Sequence, residues 1–579
     1  MARKPLDKLF EDIGALLEIK GENPFKSRAY FNAARILSAV DNLDELIAGK
    51  RLREIRGIGE ALAKKIEEYG QTGTIAYYDE LTAEMPAGLL ELLQVPNLGP
   101  KKIKTLFDRL VITNLGELEY ACRENRLTSL AGFGEATQAR ILKGIEFLKK
   151  HKGEFLFGDV SGQAEAILGR LGDRFGPRSV EICGSIRRKK ETVRDIDVLV
   201  AHGRAEEVSQ AFISMPEVEE VLLTGETKTS CRLATGVEAD LRVVAADEFP
   251  FALAYFTGSK EHNVRLRGVA RRFGWKLNEY GLFEETKRIA AGSEAELYRL
   301  LGMDFIPPEL REDMGEIEAA EGGRLPRLID VSDIKGVFHV HSDFSDGLEP
   351  VERIVEAAKR LGLSYVGISD HSQSASYAGG LNRDDVLRQW ELIDRINSRQ
   401  DGFTVFRGIE SDVRPDGSLD YDDDFLEGFD FVIASVHSNF RMEREEMEAR
   451  IFRALDNPYT TMLGHPTGRL LLSREGFDIS MQAVIERARA TGTMLELNAS
   501  PYRFDVDWRY LKFAKEMGVI ISINPDAHTS AGLGDYRLGV GIARKGWQEK
   551  SDVLNTRDAN DIKDMFKGLR DGKRNRPDH

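Results

Sequence analysis

The sequence predicts a multidomain α/β protein in which helical lobes lead into a mixed α/β region and then into a barrel of about seven parallel strands. Three observations predict it: a length of 579 residues, a Gly-hairpin repeat confined to residues 1–150, and a strand–helix alternation that starts near residue 336. At about 150 residues per domain, the length requires several units. Apolar residues at 42% and charged residues at 31% fit chains with ordinary cores and exclude disorder as the main state.

The first 150 residues have a helical period broken by short turns. Gly57-Ile58-Gly59, Asn97-Leu98-Gly99-Pro100-Lys101 and Gly132-Phe133-Gly134 each precede a helix-forming run, an internal repeat. A Gly-x-Gly turn between short helices offers N–H groups and a helix N-terminus to a phosphate oxygen. Such contacts hold a nucleic-acid backbone without reading bases. Arg56 and Asn97 vary the pattern, and Asn tolerates a left-handed backbone. These residues carry 23 Lys and Arg against 22 Asp and Glu, the rest of the chain 58 against 74, for a net charge of -15. A near-neutral front can present basic patches, while an acidic back suits bound cations.

Residues 151–250 change to a mixed pattern, with strands expected at 179–183, 196–201 and 238–244. On a strand Asp195 and Asp197 face one side. Parallel carboxylates repel unless cations lie between them, and Asp240 completes a trio from a neighbouring strand. Gly184 and Ser185 supply close backbone approach and a hydroxyl, and Arg188 a fork for phosphate oxygens. This set suits two-metal phosphoryl transfer; the alternative is an edge strand with solvated carboxylates.

A Glu-rich stretch at 317–334 reads as a linker. Beyond it, seven β-rich runs at 337–341, 365–370, 404–410, 431–437, 461–465, 493–498 and 519–526 are mostly separated by helical stretches. Ten histidines occur in the chain and seven follow residue 330; six of these, His339, His341, His371, His437, His465 and His528, fall at strand C-terminal ends. Barrel chemistry is assembled on that rim, where Asp346, Asp370, Glu410 and Asp526 add carboxylates. Imidazole-rich ligation favours manganese, zinc or iron over magnesium. Glu496 and Asn498 read equally as supports of this rim or as plain strand-end polar residues. The basic residues from Lys567 onward read as a frayed end.

Residues 1–316 resemble the family X DNA polymerases of the nucleotidyltransferase superfamily. The resemblance lies in Gly184-Ser185-Ile186-Arg187-Arg188 ahead of Asp195-Ile196-Asp197, in Tyr255-Phe256-Thr257-Gly258-Ser259, in Asn278-Glu279-Tyr280 and in the segment 301–312. The Gly turns resemble helix-hairpin-helix motifs. This resemblance implies Asp195, Asp197 and Asp240 as catalytic ligands of Mg2+ or Mn2+, and Gly184, Ser185 and Arg188 as holders of a deoxynucleoside triphosphate. It further implies a sugar pocket of Tyr255, Phe256 and Gly258, with Asn263 reaching the base. Lys26 and Tyr30 fall in a segment similar to the family's 5′-phosphate binder, and Gly57, Gly59, Gly99, Lys101, Gly132 and Gly134 are the implied DNA contacts. Lys65 stands where members with deoxyribose phosphate lyase activity place a Schiff-base lysine, but Ala61 replaces the helper lysine, so a solvated helix-face lysine is the competing reading.

Residues 335–570 resemble the PHP (polymerase and histidinol phosphatase) domain through His339-Val340-His341, Ser345-Asp346-Gly347, Asp370-His371, Gly408-Ile409-Glu410, Val436-His437, Gly464-His465-Pro466 and Asp526-Ala527-His528. All nine ligand positions are filled. The resemblance implies three Mn2+, Zn2+ or Fe2+ ions: one on His339, His341, Glu410 and Asp526, a second on Glu410, His437 and His465, a third on Asp346, His371 and His528. Together the resemblances imply helix-hairpin-helix lobes at 1–85 and 86–150, a nucleotidyltransferase palm at 151–250, a thumb at 251–316, the linker at 317–334, a (β/α)7-like PHP barrel at 335–570 and a polar tail at 571–579. The implied activities are short-gap repair synthesis and 3′–5′ exonuclease action, on gapped or primer-template DNA. A PHP phosphoesterase for small monoesters and a non-catalytic DNA-binding scaffold are the rival readings. Cys122, Cys183 and Cys231 form no C-x-x-C pair, which fits a reducing cytoplasm. No run of about 20 apolar residues and no signal peptide is expected, and a monomer that stays off membranes follows.

Overall fold

The computed structural model describes residues 6–37, 51–52, 55, 58–86, 88–96, 98–128, 130–149, 153–399 and 402–575. It divides into two compact units, Met1–Leu148 and Lys149–His579.

The described part of the first unit is helical, with two cores. In helix Leu6–Lys20 the residues Leu6, Leu9, Phe10, Ile13, Leu16 and Leu17 recur every three to four positions and are buried. Helix Pro100–Leu110 starts with Pro at its first turn, and Asn114 caps helix Leu115–Arg123 by accepting from the Glu117 N–H at 2.9 Å. Of the hairpin glycines, Gly59 and Gly99 are extended N-caps with φ of -79° and -90°, and Gly132 is left-handed at +88°. Gly57 and Asn97 lie outside the described residues.

The second unit opens with a five-stranded sheet in the order Val180–Ile182, Asp195–Ala201, Glu238–Val244, Lys228–Leu233, Val218–Thr224. Asp195–Ala201 and Glu238–Val244 are parallel; the other neighbours are antiparallel. Helix Phe157–Phe175 buries Phe157, Val160, Ala164, Ile167 and Leu171 in the core that this sheet shares with the barrel. A thumb follows, with helices Phe249–Thr257 and Lys260–Arg272 and a three-stranded sheet. Its centre is ionic: fully buried Arg311 pairs with Glu294 at 2.5 Å, and Arg187 pairs with the same carboxylate at 2.9 Å. His262 lies between Glu316 at 2.7 Å and the Tyr298 hydroxyl at 2.9 Å.

The stretch 317–334 differs from the linker expected. Helix Glu316–Glu321 buries Ile317, Ala319 and Ala320 in the thumb core, and Ile329 donates its N–H to the Gln548 carbonyl at 3.0 Å. The Glu-rich composition masked an apolar helix face.

Seven parallel strands then run in chain order, from Gly336–Val340 through Tyr365–Ile368, Thr404–Asp412, Phe431–Ser435, Met462–Leu463 and Met494–Asn498 to Ile521–Asn524. A parallel bridge between Val340 and Ala527 joins the last strand's end to the first, with the His341 N–H on the Ala527 carbonyl at 2.9 Å. Phe338, Tyr365, Phe406, Phe431 and Phe566 pack together as one core cluster. Gly408 makes room for it, since a Cβ there would lie 2.1 Å from the Phe431 ring. The basic end is also ordered further than expected: helix Ala559–Arg574 runs almost to the end of the described residues, and buried Lys573 donates to the carbonyls of Leu455, Asn457 and Thr460 at 2.9, 3.2 and 2.7 Å. Three carbonyls drawing in one ammonium outweigh the tendency of a charged end to fray. Among the described residues no helix is long and apolar enough to cross a membrane.

Candidate metal centres

The palm carboxylates converge as their spacing requires. Asp197 and Asp240 are register partners on parallel strands, and Asp195 pairs with Glu238 two residues away. Asp240 accepts from the Ser230 hydroxyl at 2.5 Å and pairs with Lys228 at 2.7 Å. Burial, reinforced by the charges of Asp195 and Asp240, pushes Asp197 up to about 7, and burial beside Asp240 also raises Asp195. Carboxylates this crowded fit a divalent cation.

Gly184 closes the same site. Its φ is +61°, and a Cβ on it would stand 2.2 Å from Asp197 Oδ2, so only glycine lets the turn approach the carboxylate. Ser185, half-buried, follows on the short helix Gly184–Arg187. Arg188 donates from Nε to Glu312 at 3.0 Å and from Nη1 to the Thr257 carbonyl at 2.6 Å, and its Nη1 lies 3.1 Å from the Cβ position of left-handed Gly258. Tyr255 and Phe256 are half-buried with rings 5.2 Å apart, and Asn263 Nδ2 donates to the Tyr255 carbonyl at 2.7 Å. Arg188 thus links the turn after Gly184 to the helix that carries Tyr255 and Phe256.

The barrel rim brings Glu410 together with the other eight expected ligands. Its Oε1 lies 3.1, 3.2 and 3.0 Å from the Nε2 atoms of His339, His437 and His465, and its Oε2 2.9 Å from His371 Nδ1. Asp526 Oδ1 stands 3.4 Å from His339 and 3.3 Å from His341. Asp346 reaches His371 at 3.5 Å and His528 at 3.4 Å. The donor sets that come within metal-binding range include His341, Asp346, His371 and His528 as one, His339, Glu410 and His465 as another, and His371, Glu410 and His437 as a third. His341 and His371 thus stand between the groupings that the resemblance implied.

Burial works against the charged form of Glu410, but His339, His437 and His371 outweigh it and hold its pKa well below the usual carboxylate range. Burial, then the neighbouring His528 and His371, lowers His341 to about 3, so its ring is neutral with lone pairs available. Among the described residues neither ring nitrogen of His341, nor Glu410 Oε2, makes a hydrogen bond. Buried donors oriented inward without hydrogen bonds fit divalent metal ions. His339, His465 and Asp526 also hold left-handed φ of +56°, +23° and +51°, a strained backbone at three of the candidate ligand positions.

In the first unit Lys26 and Lys65 meet over one ring, with their Nζ atoms 5.1 and 4.5 Å from the Tyr77 centroid. Tyr30, expected at the DNA surface, is instead buried in the lobe core, 5% exposed and stacked on Tyr77 at 6.2 Å. A Cβ on Gly59, Gly99, Gly132 or Gly134 would meet nothing, so internal packing does not require these glycines.

The chain matches known proteins along most of its length. Residues 1–75 match a helix-hairpin-helix domain, 89–146 a SAM-like helix-hairpin-helix tandem, 252–312 the DNA polymerase beta thumb and 338–500 the PHP domain. The DNA polymerase/3′-5′ exonuclease PolX of Bacillus subtilis (strain 168) is 37% identical over 572 residues, 98% of this chain and 100% of the relative. The chain belongs to the family X DNA polymerases that carry a PHP domain. A probable phosphatase of Thermoanaerobacter sp. (strain X514) is 27% identical over 37% of this family X chain and 86% of its own length. A Leishmania infantum polymerase beta ternary complex aligns with TM-score 0.26 and 22% identity, over 39% of this chain and 99% of that one.

Several groups around the two centres of this family X polymerase escaped the sequence reading. Asp412 accepts from His437 Nδ1 at 2.6 Å, and Lys228 and Ser230 hold Asp240. Glu496, left open between two roles, bonds His339 Nδ1 at 2.6 Å and accepts from the His465 N–H at 2.6 Å; Asn498 donates to Glu496 and to Asp526. Both are supports of the rim. Asp370 accepts from Ser342 and Gln389, which steadies the turn that carries Asp346.

Proposed function

We propose that this family X polymerase fills short gaps in DNA from deoxynucleoside triphosphates and removes 3′-terminal nucleotides in its PHP domain. The observation that carries the reading is the presence, in one folded unit, of two separate donor clusters, one of three carboxylates on neighbouring parallel strands and one of nine His, Asp and Glu side chains. Asp195, Asp197 and Asp240 hold Mg2+ or Mn2+, while Ser185 and Arg188 donate to triphosphate oxygens. Tyr255, Phe256 and Gly258 wall the sugar, and Asn263 turns from the Tyr255 carbonyl to the base. His339, His341, Asp346, His371, Glu410, His437, His465, Asp526 and His528 hold up to three Mn2+, Zn2+ or Fe2+ ions. When bound, these ions polarise phosphoryl oxygens and activate the attacking oxygen. Glu496 and Asp412 fix His339 and His437 in the tautomer that turns Nε2 inward.

Upstream, Gly57, Gly59, Gly99, Lys101, Gly132 and Gly134 grip DNA backbone, and Lys26 beside Tyr77 faces a 5′-phosphate. Lys65 is within reach of the same group, and borohydride trapping on a 5′-deoxyribose phosphate end separates a Schiff-base lysine from one held only over the ring. Action in the cytoplasm as a monomer at nucleoid DNA completes the reading, which three buried free cysteines support. A labelled primer on a one-nucleotide gap, with and without 5′-phosphate, triphosphates, Mg2+ or Mn2+, reports both activities. Hydrolysis of free monoesters with no change in the primer would replace the reading with that of a phosphatase.

A further inference from the structure

The barrel domain contributes a side chain that reaches Arg188 and Glu312. Helix Tyr536–Lys545 packs against the barrel through Val540, Ile542 and Ala543, and the Cβ position of Gly541 lies 3.4 Å from the Lys189 side chain of the palm. At its end Lys545 is 1% exposed, with its Nζ 4.4 Å from the Trp508 ring centroid. That ammonium donates to the Arg188 backbone carbonyl at 3.0 Å and to Glu312 Oε1 at 2.5 Å. The same Glu312 oxygen accepts from Arg188 Nε at 3.0 Å.

One lysine thus fixes Arg188 at both ends, directly at its carbonyl and through Glu312 at its guanidinium. A buried charge costs free energy unless it is paired, and apolar residues of similar volume commonly replace such clusters without loss of stability. Packing alone therefore does not require an ammonium here. We propose that Lys545 is a positioning residue for nucleotide transfer, setting from the PHP domain how Arg188 presents itself to the triphosphate. The inference rests on the reading of Arg188 given above. Without Lys545 the Arg188 carbonyl loses a donor, and the whole charge of Glu312 falls on the guanidinium that an incoming triphosphate must share. Both effects weaken triphosphate binding and leave the chemical step alone.

The test uses the full chain on gapped DNA. Lys545→Met is expected to raise KM for the triphosphate about 10-fold with kcat within about 3-fold, while Mn2+-dependent 3′ degradation is unchanged. Lys545→Arg, which keeps the charge and the donors, returns KM to within about 3-fold of the parent, and Lys545→Met adds nothing once Arg188→Ala is present. An unchanged KM in Lys545→Met beside a raised KM in Arg188→Ala overturns the inference alone. An unchanged KM in Arg188→Ala overturns the underlying reading and the inference with it. Should Lys545→Met be recovered unfolded, Glu312→Gln removes the carboxylate through which Lys545 acts, and an unaltered KM there overturns the proposal equally.

Discussion

Gly184 and Asp197 are built to one another: the carboxylate fills the space that a side chain on Gly184 would need, with 2.2 Å between the Cβ position and Oδ2. Gly184→Ala must push Asp197 off its line, and the left-handed backbone there adds strain. A displacement on the order of 1 Å at a reacting centre costs about 100-fold in rate. Primer extension is expected to fall by that factor in single-turnover assays, with nuclease activity unaffected.

Removal of the carboxylates is more severe. Asp195→Ala with Asp197→Ala takes away two of the three carboxylates proposed to hold cations beside Gly184, and extension on gapped DNA is expected to disappear. Degradation of a labelled 3′ end continues, because the rim of the barrel is untouched. Persistent extension in a gel assay would exclude the trio from the mechanism.

The rim gives the converse experiment. His339→Ala with His341→Ala abolishes Mn2+-dependent degradation and leaves synthesis intact. Glu496→Gln keeps the shape of the carboxylate that orients His339 but weakens its pull, and metal affinity is expected to drop by about 10- to 100-fold, read by metal titration against a competing chelator. A chelator applied to the parent chain lowers the melting temperature, since any ion that binds only the folded chain stabilises it.

Acid stability tests the thumb. Burial works to raise the pKa of Glu294, but Arg311 and Arg187 prevail and depress it to about 2. A carboxylate depressed in the folded state stabilises fully above its unfolded pKa, about 4.3, and that contribution is lost as pH falls towards 2. Glu294→Gln, which leaves buried Arg311 without its counter-charge, is expected to cost about 3–5 kcal/mol at neutral pH. Denaturant titration from pH 7 to 2 should show the gap between parent and variant narrowing below pH 4.5.

The clustering of the candidate ligands was legible because their chemistry is tied to local spacing. Asp-x-Asp fixes a shared face on any strand, and histidines at strand ends identify a barrel rim. The supports were legible only in part: Glu496 stood open between two roles, and Asp412 was missed, because they meet their histidines only after 157 and 25 residues of chain have folded. The strands Val218–Thr224 and Lys228–Leu233 were missed because exposed or polar residues break their alternation, and Thr229 and Ser230 are buried through hydroxyl bonds. Tyr30 carried no mark that told a core ring from a surface one, and the linker expectation failed because acidic composition outweighed the Ile317–Ala320 face.

The seam between Val340 and Ala527 has a consequence for how the protein comes into being. Candidate ligands flank it on both sides, His339 on the first strand and His341 just past it, Asp526 and His528 beyond the last. A ribosome finishes the palm hundreds of codons before it supplies the last two of these ligands. A newborn chain therefore acquires the carboxylates for copying DNA before it can assemble the ligands for erasing it, but Lys545 and the core shared with the barrel come later still, so neither centre is complete until the far end of the chain has been made.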